Sequence, residues 1–154
     1  MNIEQLLKII QDAAYEVRKS LCAGYLESVY QNALVYELRL RGLKAESEAP
    51  INVTYKGFLV GVFRADILVE GSVIIELKAV KELSSVHEMQ LVNYLKATGI
   101  EYGFLINYGG DVFAIHKKTK SFFNPNQKQL SITFFTEPHL WCSSYRSLTF
   151  NKSL

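Results

Sequence analysis

The chain has 154 residues, of which 49% are hydrophobic, and a formal net charge of +2. This length suits one compact domain, and the hydrophobic content excludes global disorder. No apolar run approaches the roughly 18 residues that a membrane span needs, so we expect a protein without membrane association, located in the cytoplasm.

Charge is distributed unevenly along the sequence. Residues 1–116 carry 11 Lys/Arg and 14 Asp/Glu, whereas residues 117–154 carry 6 Lys/Arg and 1 Asp/Glu. A basic segment suggests an acidic partner such as nucleic acid, although a solvated tail explains the same composition equally well.

The cysteines and histidines argue against a metal site built from these residue types. Cys22 and Cys142 lie far apart and form no CxxC pair, which predicts free thiols in a reducing compartment. The three histidines are scattered and lack the spacing of known zinc motifs. A zinc site is therefore not expected.

Two helices are predicted at the start of the chain. Residues 2–20 place apolar side chains at helical spacing, and Gly24 interrupts the pattern. This charged, amphipathic segment is typical of a helix rather than of a signal peptide. A second helix is predicted over residues 26–41, with Gly42 placed to cap its end.

The following segment changes to β-branched and aromatic residues punctuated by glycine, which predicts strands. A capping box of Ser85 with Glu88 marks the start of one more helix. The predicted segments are strands at about 45–55, 58–69 and 73–79, a helix at about 86–98, and two strands joined by a turn at Gly109 and Gly110. The order α-α-β-β-β-α-β-β predicts an α/β fold with a mixed sheet flanked by helices.

The pattern weakens after residue 117. One added strand is predicted at 130–135, "LSITFF". This basic segment contains scattered aromatic residues, so stacking on single-stranded nucleic acid is one interpretation. Packing onto the core and disorder are the alternatives.

The hairpin over residues 63–79 places charged residues between apolar ones. Because side chains alternate along a strand, Asp66 shares a face with Arg64, and Glu76 shares a face with Lys78. The opposite face is wholly apolar and is assigned to the core: Phe63, Ala65, Ile67, Val69, Val73, Ile75, Leu77 and Ala79.

The connecting turn sets the register of this hairpin. A three-residue loop at 70–72 places Val69 opposite Val73 and keeps the apolar face together, whereas a two-residue loop mixes core and polar faces. The three-residue register predicts two charged pairs: Asp66 with Glu76, and Arg64 with Lys78.

Two carboxylates about 5 Å apart across a strand pair either raise a pKa or hold a cation. Their oxygen atoms suit Mg²⁺ or Mn²⁺, and Lys78 on the same face would stabilise the charge of a phosphate. The alternative is a surface lattice of salt bridges, in which Lys78 and Arg64 neutralise Asp66 and Glu76. The hairpin alone does not decide between them.

Two further motifs accompany the hairpin segment "RADILVEGSVIIELKAV": "GYLESVY" at residues 24–30 and "HEMQLVNYLKATG" at residues 87–99. Together they closely resemble the GxxExxY family, which is assigned to the PD-(D/E)xK nuclease superfamily. The resemblance covers residues 1 to about 117 and implies a restriction-endonuclease-like core, αβββαβ, with an extra N-terminal helix. Residues 118–154 match nothing in the family and are expected to form a basic C-terminal extension.

The resemblance also implies roles for individual residues. Asp66, Glu76 and Lys78 match the Asp…Glu-x-Lys core, with Ala65 where the superfamily has proline. Glu27 matches the acidic residue that the first core helix contributes beside the metal. The implied metal ligands for Mg²⁺ or Mn²⁺ are Asp66, Glu76 and Glu27. Alternatively, Glu27 is only a favourable charge at a helix N-terminus.

Gln90 and Tyr94 match a Gln-x-x-x-Tyr helix motif and share one helix face. Gln90 is expected to orient the attacking water or Lys78 and so joins the catalytic set. Tyr94 and Arg64 are expected to contact nucleic acid, and the alternative for Tyr94 is a core aromatic. Gly24 and Tyr30 are expected to serve the turn and the packing.

The function implied is metal-dependent hydrolysis of nucleic-acid phosphodiester bonds, with the resemblance favouring DNA over RNA. The competing hypothesis is an inactive module on a nuclease scaffold that binds nucleic acid or protein. A third is a structural dimerisation protein, and a homodimer is compatible with all three.

Overall fold

The computed structural model describes residues 1–120. The strand predicted at 130–135, the basic aromatic segment and Cys142 lie outside the described residues. The elements, in chain order, are α1 (Ile3–Leu21), α2 (Glu27–Leu40), β1 (Ala45–Tyr55), β2 (Phe58–Val69), β3 (Val73–Lys78), α3 (Ser85–Thr98), β4 (Tyr102–Asn107) and β5 (Ala114–Thr119).

The five strands form one mixed sheet in the order β1-β2-β3-β4-β5. Strands β3 and β4 are parallel, because α3 crosses over between them, and the other neighbouring strands are antiparallel. The sheet and its helices confirm the predicted α/β fold and are those of a restriction-endonuclease-like core preceded by one extra helix.

Helices cover both faces of the sheet. On β3, Ile75 packs into the larger core with α1 and α2, whereas Ile74 packs into a smaller core with α3. All six residues of β3 are buried or half-buried, as expected of a strand covered on both faces. Charged residues on this strand are therefore held in a largely desolvated layer.

Local sequence explains the start of α1. The Asn2 Oδ1 atom accepts a hydrogen bond from the Gln5 backbone N–H at 2.8 Å, and Gln5 Oε1 accepts one from the Asn2 backbone N–H at 3.1 Å. This reciprocal cap satisfies two backbone donors at the helix terminus. The buried side of α1 then follows helical spacing: Leu6, Leu7, Ile10, Ala13, Ala14 and Val17.

The capping box predicted for Ser85 and Glu88 is wrong by one residue. Ser84 caps α3, and its backbone N–H donates to His87 Nδ1 at 3.2 Å. Glu88 instead lies 3.0 Å from the Lys118 ammonium. Ser85 and Glu88 fit the Ser-x-x-Glu rule, but the observed cap pairs Ser84 with a histidine, and Glu88 contacts β5 instead. The end of α3 is as predicted, with Gly99 in the left-handed conformation at φ 75°.

Two further expectations are wrong. Phe63, assigned to the core, is 49% exposed, although its ring lies 6.0 Å from that of Tyr94 on α3. Cys22, expected as a free thiol, is disulfide-bonded. Cysteine usage therefore gives no support to a reducing compartment.

Among the helices of residues 1–120, none is both long and apolar enough to cross a bilayer.

Candidate metal centre

The hairpin of β2 and β3 has the predicted three-residue turn. The strands pair at Val69–Val73, Leu68–Ile74 and Ile67–Ile75. The described ladder ends there, so the continuation to Asp66–Glu76 and Arg64–Lys78 stays a prediction. The two carboxylates lie just past the last paired residues.

Where the backbone pairing of β2 and β3 ends, the Asp66 side chain makes the next contact between the strands. Its Oδ2 atom accepts a hydrogen bond from the Leu77 backbone N–H at 2.6 Å. Burial raises the pKa of Asp66 above its ordinary value, against the opposing effects of the Leu77 N–H and the Lys78 charge. The side chain thus joins the two strands and keeps its carboxyl group beside β3.

Glu76 is buried almost completely, with 2% of its side chain exposed. Its Oε1 atom accepts a hydrogen bond from the Lys78 ammonium at 2.8 Å. For the second oxygen, Oε2, no hydrogen-bond donor is found among the described residues. An unpartnered buried carboxylate oxygen is costly, so Oε2 is a candidate ligand atom for a cation.

Neighbouring groups have opposing effects on the pKa of Glu76. Burial and the charge of Asp66 raise its pKa to about 7, while Lys78 favours the ionised form. Burial lowers the Lys78 pKa, but Glu76, Glu27 and Asp66 outweigh it and the net direction is upward. Lys78 is the more exposed partner, at 13%, so the burial of Glu76 determines the direction of its pKa.

Glu27 begins α2 and is half-buried. Its negative charge contributes to raising the pKa of Asp66, Glu76 and Lys78. The helix N-terminus favours a carboxylate at this position. The fold therefore brings the motif glutamate into the electrostatic neighbourhood of the hairpin carboxylates.

The sequence analysis missed Glu48 and Gln31. Glu48 has φ 55° and interrupts the β1–β2 pairing between Ser47–Ile67 and Ala49–Ala65. The Gln31 amide donates to Glu48 Oε1 and to the Asp66 carbonyl, each at 2.9 Å. Glu48 also raises the pKa of Asp66. No sequence signal distinguished Glu48 from Glu46, the other acidic residue of β1.

Asn107, also missed, fixes the chain after β3. Its Oδ1 atom accepts from the Val80 backbone N–H at 3.0 Å, and its Nδ2 atom donates to the Val80 carbonyl at 2.8 Å. Asn107 pairs with Lys78 in the parallel ladder and so anchors the end of the strand that carries Lys78. A buried polar residue ending an apolar strand was the available signal.

Gln90 and Tyr94 meet on α3, where the Gln90 amide donates to the Tyr94 hydroxyl at 3.1 Å. Tyr94 is 7% exposed and packs in the smaller core, as the core interpretation requires. Its ring lies 6.0 Å from that of Phe63 on β2. Arg64, next to Phe63, is exposed and pairs with Pro50 of β1.

Gly24 and Tyr30 serve the turn and the packing. Gly24 has φ 116°, which glycine adopts without strain. The Tyr30 hydroxyl donates to the Cys22 carbonyl at 2.7 Å and accepts from the Tyr25 backbone N–H at 3.1 Å. Its ring stacks on Tyr108 at 4.6 Å. Tyr30 thus fixes the α1–α2 connection that leads into Glu27.

Within residues 1–120, no three His, Cys, Asp or Glu side chains converge closely enough to form a ready-made metal cage. Mg²⁺, however, is usually held by one or two carboxylates, with waters and substrate phosphate completing the shell. The unpartnered Glu76 oxygen beside Asp66 fits that mode of binding. The residues present therefore suit a hard divalent cation.

A model of the PD-(D/E)XK nuclease superfamily matches residues 4–120 of the chain. The chain belongs to this superfamily. No curated protein matches it. The PD-(D/E)XK assignment covers every element described above, from α1 to β5.

Solved structures offer a weaker likeness. The chain is similar to SSO0001, known from a crystal structure, with 24% sequence identity and a TM-score of 0.47. The alignment covers 60% of this chain and 49% of SSO0001, so the chain spans about half the length of that protein. The PD-(D/E)XK assignment therefore rests on the match to the family model.

Proposed function

We propose that the protein is a metal-dependent nuclease that hydrolyses phosphodiester bonds of nucleic acid. The superfamily assignment supports the reaction class. The observation that carries the proposal for this chain is the buried Glu76 carboxylate, whose Oε2 has no donor within residues 1–120, beside Asp66 and Lys78.

Asp66 and Glu76 would hold Mg²⁺ or Mn²⁺, with Glu27 close enough to add negative charge. When bound, the cation supplies Lewis acidity and neutralises the charge of a phosphate group. The Leu77 N–H orients the Asp66 carboxylate. The Lys78 ammonium donates a hydrogen bond to Glu76 at 2.8 Å. Its positive charge would stabilise the nucleophile or the charge that develops on the phosphate.

Gln90 would orient the attacking water or Lys78. Arg64, which is exposed, would contact the nucleic acid, with Tyr94 supporting Gln90 from the core. The motif "GYLESVY" supports membership in the GxxExxY family as the finer assignment. Resemblance to that family favours DNA as the substrate.

The test is cleavage of labelled single- and double-stranded DNA in the presence of Mg²⁺ or Mn²⁺. Asp66→Asn and Lys78→Met should each abolish metal-dependent cleavage. Asp12→Asn and Lys8→Met make the same changes at an exposed surface pair on α1 and should retain full activity.

Two results would contradict the proposal. Cleavage that survives both site substitutions would show that the nuclease site lies elsewhere. A folded wild-type protein that neither cleaves DNA nor gains thermal stability from Mn²⁺ would favour an inactive binding module or a structural protein.

A further inference from the structure

The hairpin of β1 and β2 exposes an unusual number of large apolar side chains. We name its projecting part, residues 49–65, the β1–β2 arm. Six such side chains on it are between 49% and 76% exposed: Tyr55, Phe58, Leu59, Val60, Val62 and Phe63. Exposed apolar side chains concentrated in this way mark a candidate interaction site.

Two aromatic rings lie together at the tip of the arm. Tyr55 and Phe58 are cross-strand partners, 64% and 76% exposed. Lys56 and Gly57, the residues between them, both have positive φ, at 49° and 80°, as the tight type I′ hairpin turn requires. The Lys56 ammonium lies 5.4 Å from the centre of the Tyr55 ring. The tip thus presents paired rings and a cation on a short, defined turn.

The charge of the arm is opposite to that of its surroundings. The arm contains Lys56 and Arg64 and no acidic residue, whereas the rest of residues 1–120 carry 12 Lys/Arg and 14 Asp/Glu. A polyanion approaching the arm would therefore meet a surface of net positive charge.

The arm is continuous with the candidate metal centre. Its last residues lead directly into Asp66 on β2. The Phe63 ring contacts Tyr94, whose hydroxyl accepts from Gln90. A strand of nucleic acid lying along the arm would therefore lie next to the part of β2 that carries Asp66.

We propose that the β1–β2 arm binds unpaired bases, so that the substrate of the centre is single-stranded nucleic acid or a single-stranded end. Exposed aromatic rings stack on bases of any sequence, and duplex bases are already stacked on one another. A duplex also needs clustered cations for its two backbones, and the arm has two. The binding stands on the arm itself, and its role as a substrate site rests on the proposed nuclease function.

The experiment measures binding of the full chain by fluorescence anisotropy in EDTA, where no metal supports cleavage. The probes are a labelled oligothymidylate of about 20 nucleotides and a duplex of equal length. The wild type should bind the single strand more tightly than the duplex. The double variant Tyr55→Thr/Phe58→Thr should bind the single strand about tenfold more weakly. Threonine preserves the strand preference.

Tyr36→Ala is the matched control, because Tyr36 on α2 is 66% exposed and lies outside the arm. It should leave binding unchanged. Circular dichroism checks that each variant is folded, and Phe58→Trp, which keeps a stacking ring, should retain binding.

The inference is overturned if the wild type binds neither probe, if it prefers the duplex, or if the double variant binds the single strand as well as the wild type does. It is also overturned if light scattering shows that the wild type is a dimer, that the double variant is a monomer and that binding is unchanged, since the arm would then contact a second copy. Arm-dependent binding without metal-dependent cleavage would refute the nuclease proposal alone. Metal-dependent cleavage, with binding that is the same in the wild type and the arm double variant, would refute this inference alone.

Discussion

The Asp66 carboxylate accepts a hydrogen bond of 2.6 Å from the backbone N–H of Leu77, where β2 and β3 stop pairing. One side chain therefore has a structural task, which is to satisfy a β3 donor, and a proposed chemical task, which is to bind a cation with its remaining lone pairs. Substitutions at Asp66 separate the two.

Asp66→Ala should destabilise the protein more than Asp66→Asn. Alanine leaves the Leu77 N–H without its acceptor, which costs about 1–3 kcal/mol for a buried group, whereas the asparagine carbonyl oxygen still accepts. Chemical denaturation in EDTA measures both variants. Equal losses of stability would show that the Leu77 contact contributes nothing to the fold.

Glu76→Gln should stabilise the metal-free protein at high pH. The folded-state pKa of Glu76 is raised from 4.5 to about 7. Its contribution to stability is therefore fully present below about pH 4.5 and is lost as pH rises through about 7. Glutamine does not titrate, so the variant avoids this loss, which amounts to about 3 kcal/mol at most.

Free energies of unfolding in EDTA, measured for both proteins from about pH 5 to pH 8.5, test this expectation. The advantage of Glu76→Gln should grow with pH and be largest above 7. Stability curves that run parallel across this range would mean that Glu76 titrates as it does in the unfolded chain.

Tyr30→Phe should lower the free energy of unfolding by about 1–2 kcal/mol. The substitution keeps the ring that stacks on Tyr108 but removes the hydroxyl that joins the Cys22 carbonyl to the Tyr25 N–H. Thermal denaturation measures the loss, and Tyr25→Phe, at a residue that is 53% exposed, is the control. Unchanged stability in Tyr30→Phe would show that Tyr30 stabilises the protein through its ring alone and not through its hydroxyl.

Glu88→Gln should reduce stability near neutral pH and have no effect in acid. Burial raises the pKa of Glu88, but Lys118 and His116 outweigh it and lower the pKa below 4.5. The stabilisation is therefore present above pH 4.5 and is lost as pH falls through the lower folded-state value. For a partly exposed group we expect about 0.5–1 kcal/mol. A difference that persists in acid would point to packing instead.

Sequence periodicity was sufficient for the fold and for the turn of the central hairpin. The alternation of apolar residues and the three-residue loop gave Val69–Val73, because a slip of one residue would turn the apolar face outward. The end of the ladder was not predictable in this way, since it depends on the Asp66 side chain bonding to the backbone of Leu77.

The sequence pattern also did not identify residues whose roles depend on tertiary contacts. Glu48 lies in a strand whose sequence shows no interruption, yet its positive φ and its bond to Gln31 place it beside Asp66. Gln31 itself is one polar residue of an ordinary helix. For the arm, the strand pattern predicted where the two strands begin and end but not the exposure of Phe63, because alternation along a strand does not show how completely a helix covers that face.

The most direct test of the metal centre is calorimetric titration of Mn²⁺ into the wild type, Glu76→Gln and Asp12→Asn at about pH 8, where Glu76 is mostly ionised. Our account predicts that the wild type and Asp12→Asn bind Mn²⁺ alike and that Glu76→Gln binds it at least about tenfold more weakly. Equal affinity of Glu76→Gln and the wild type, or no binding by the wild type, would contradict it.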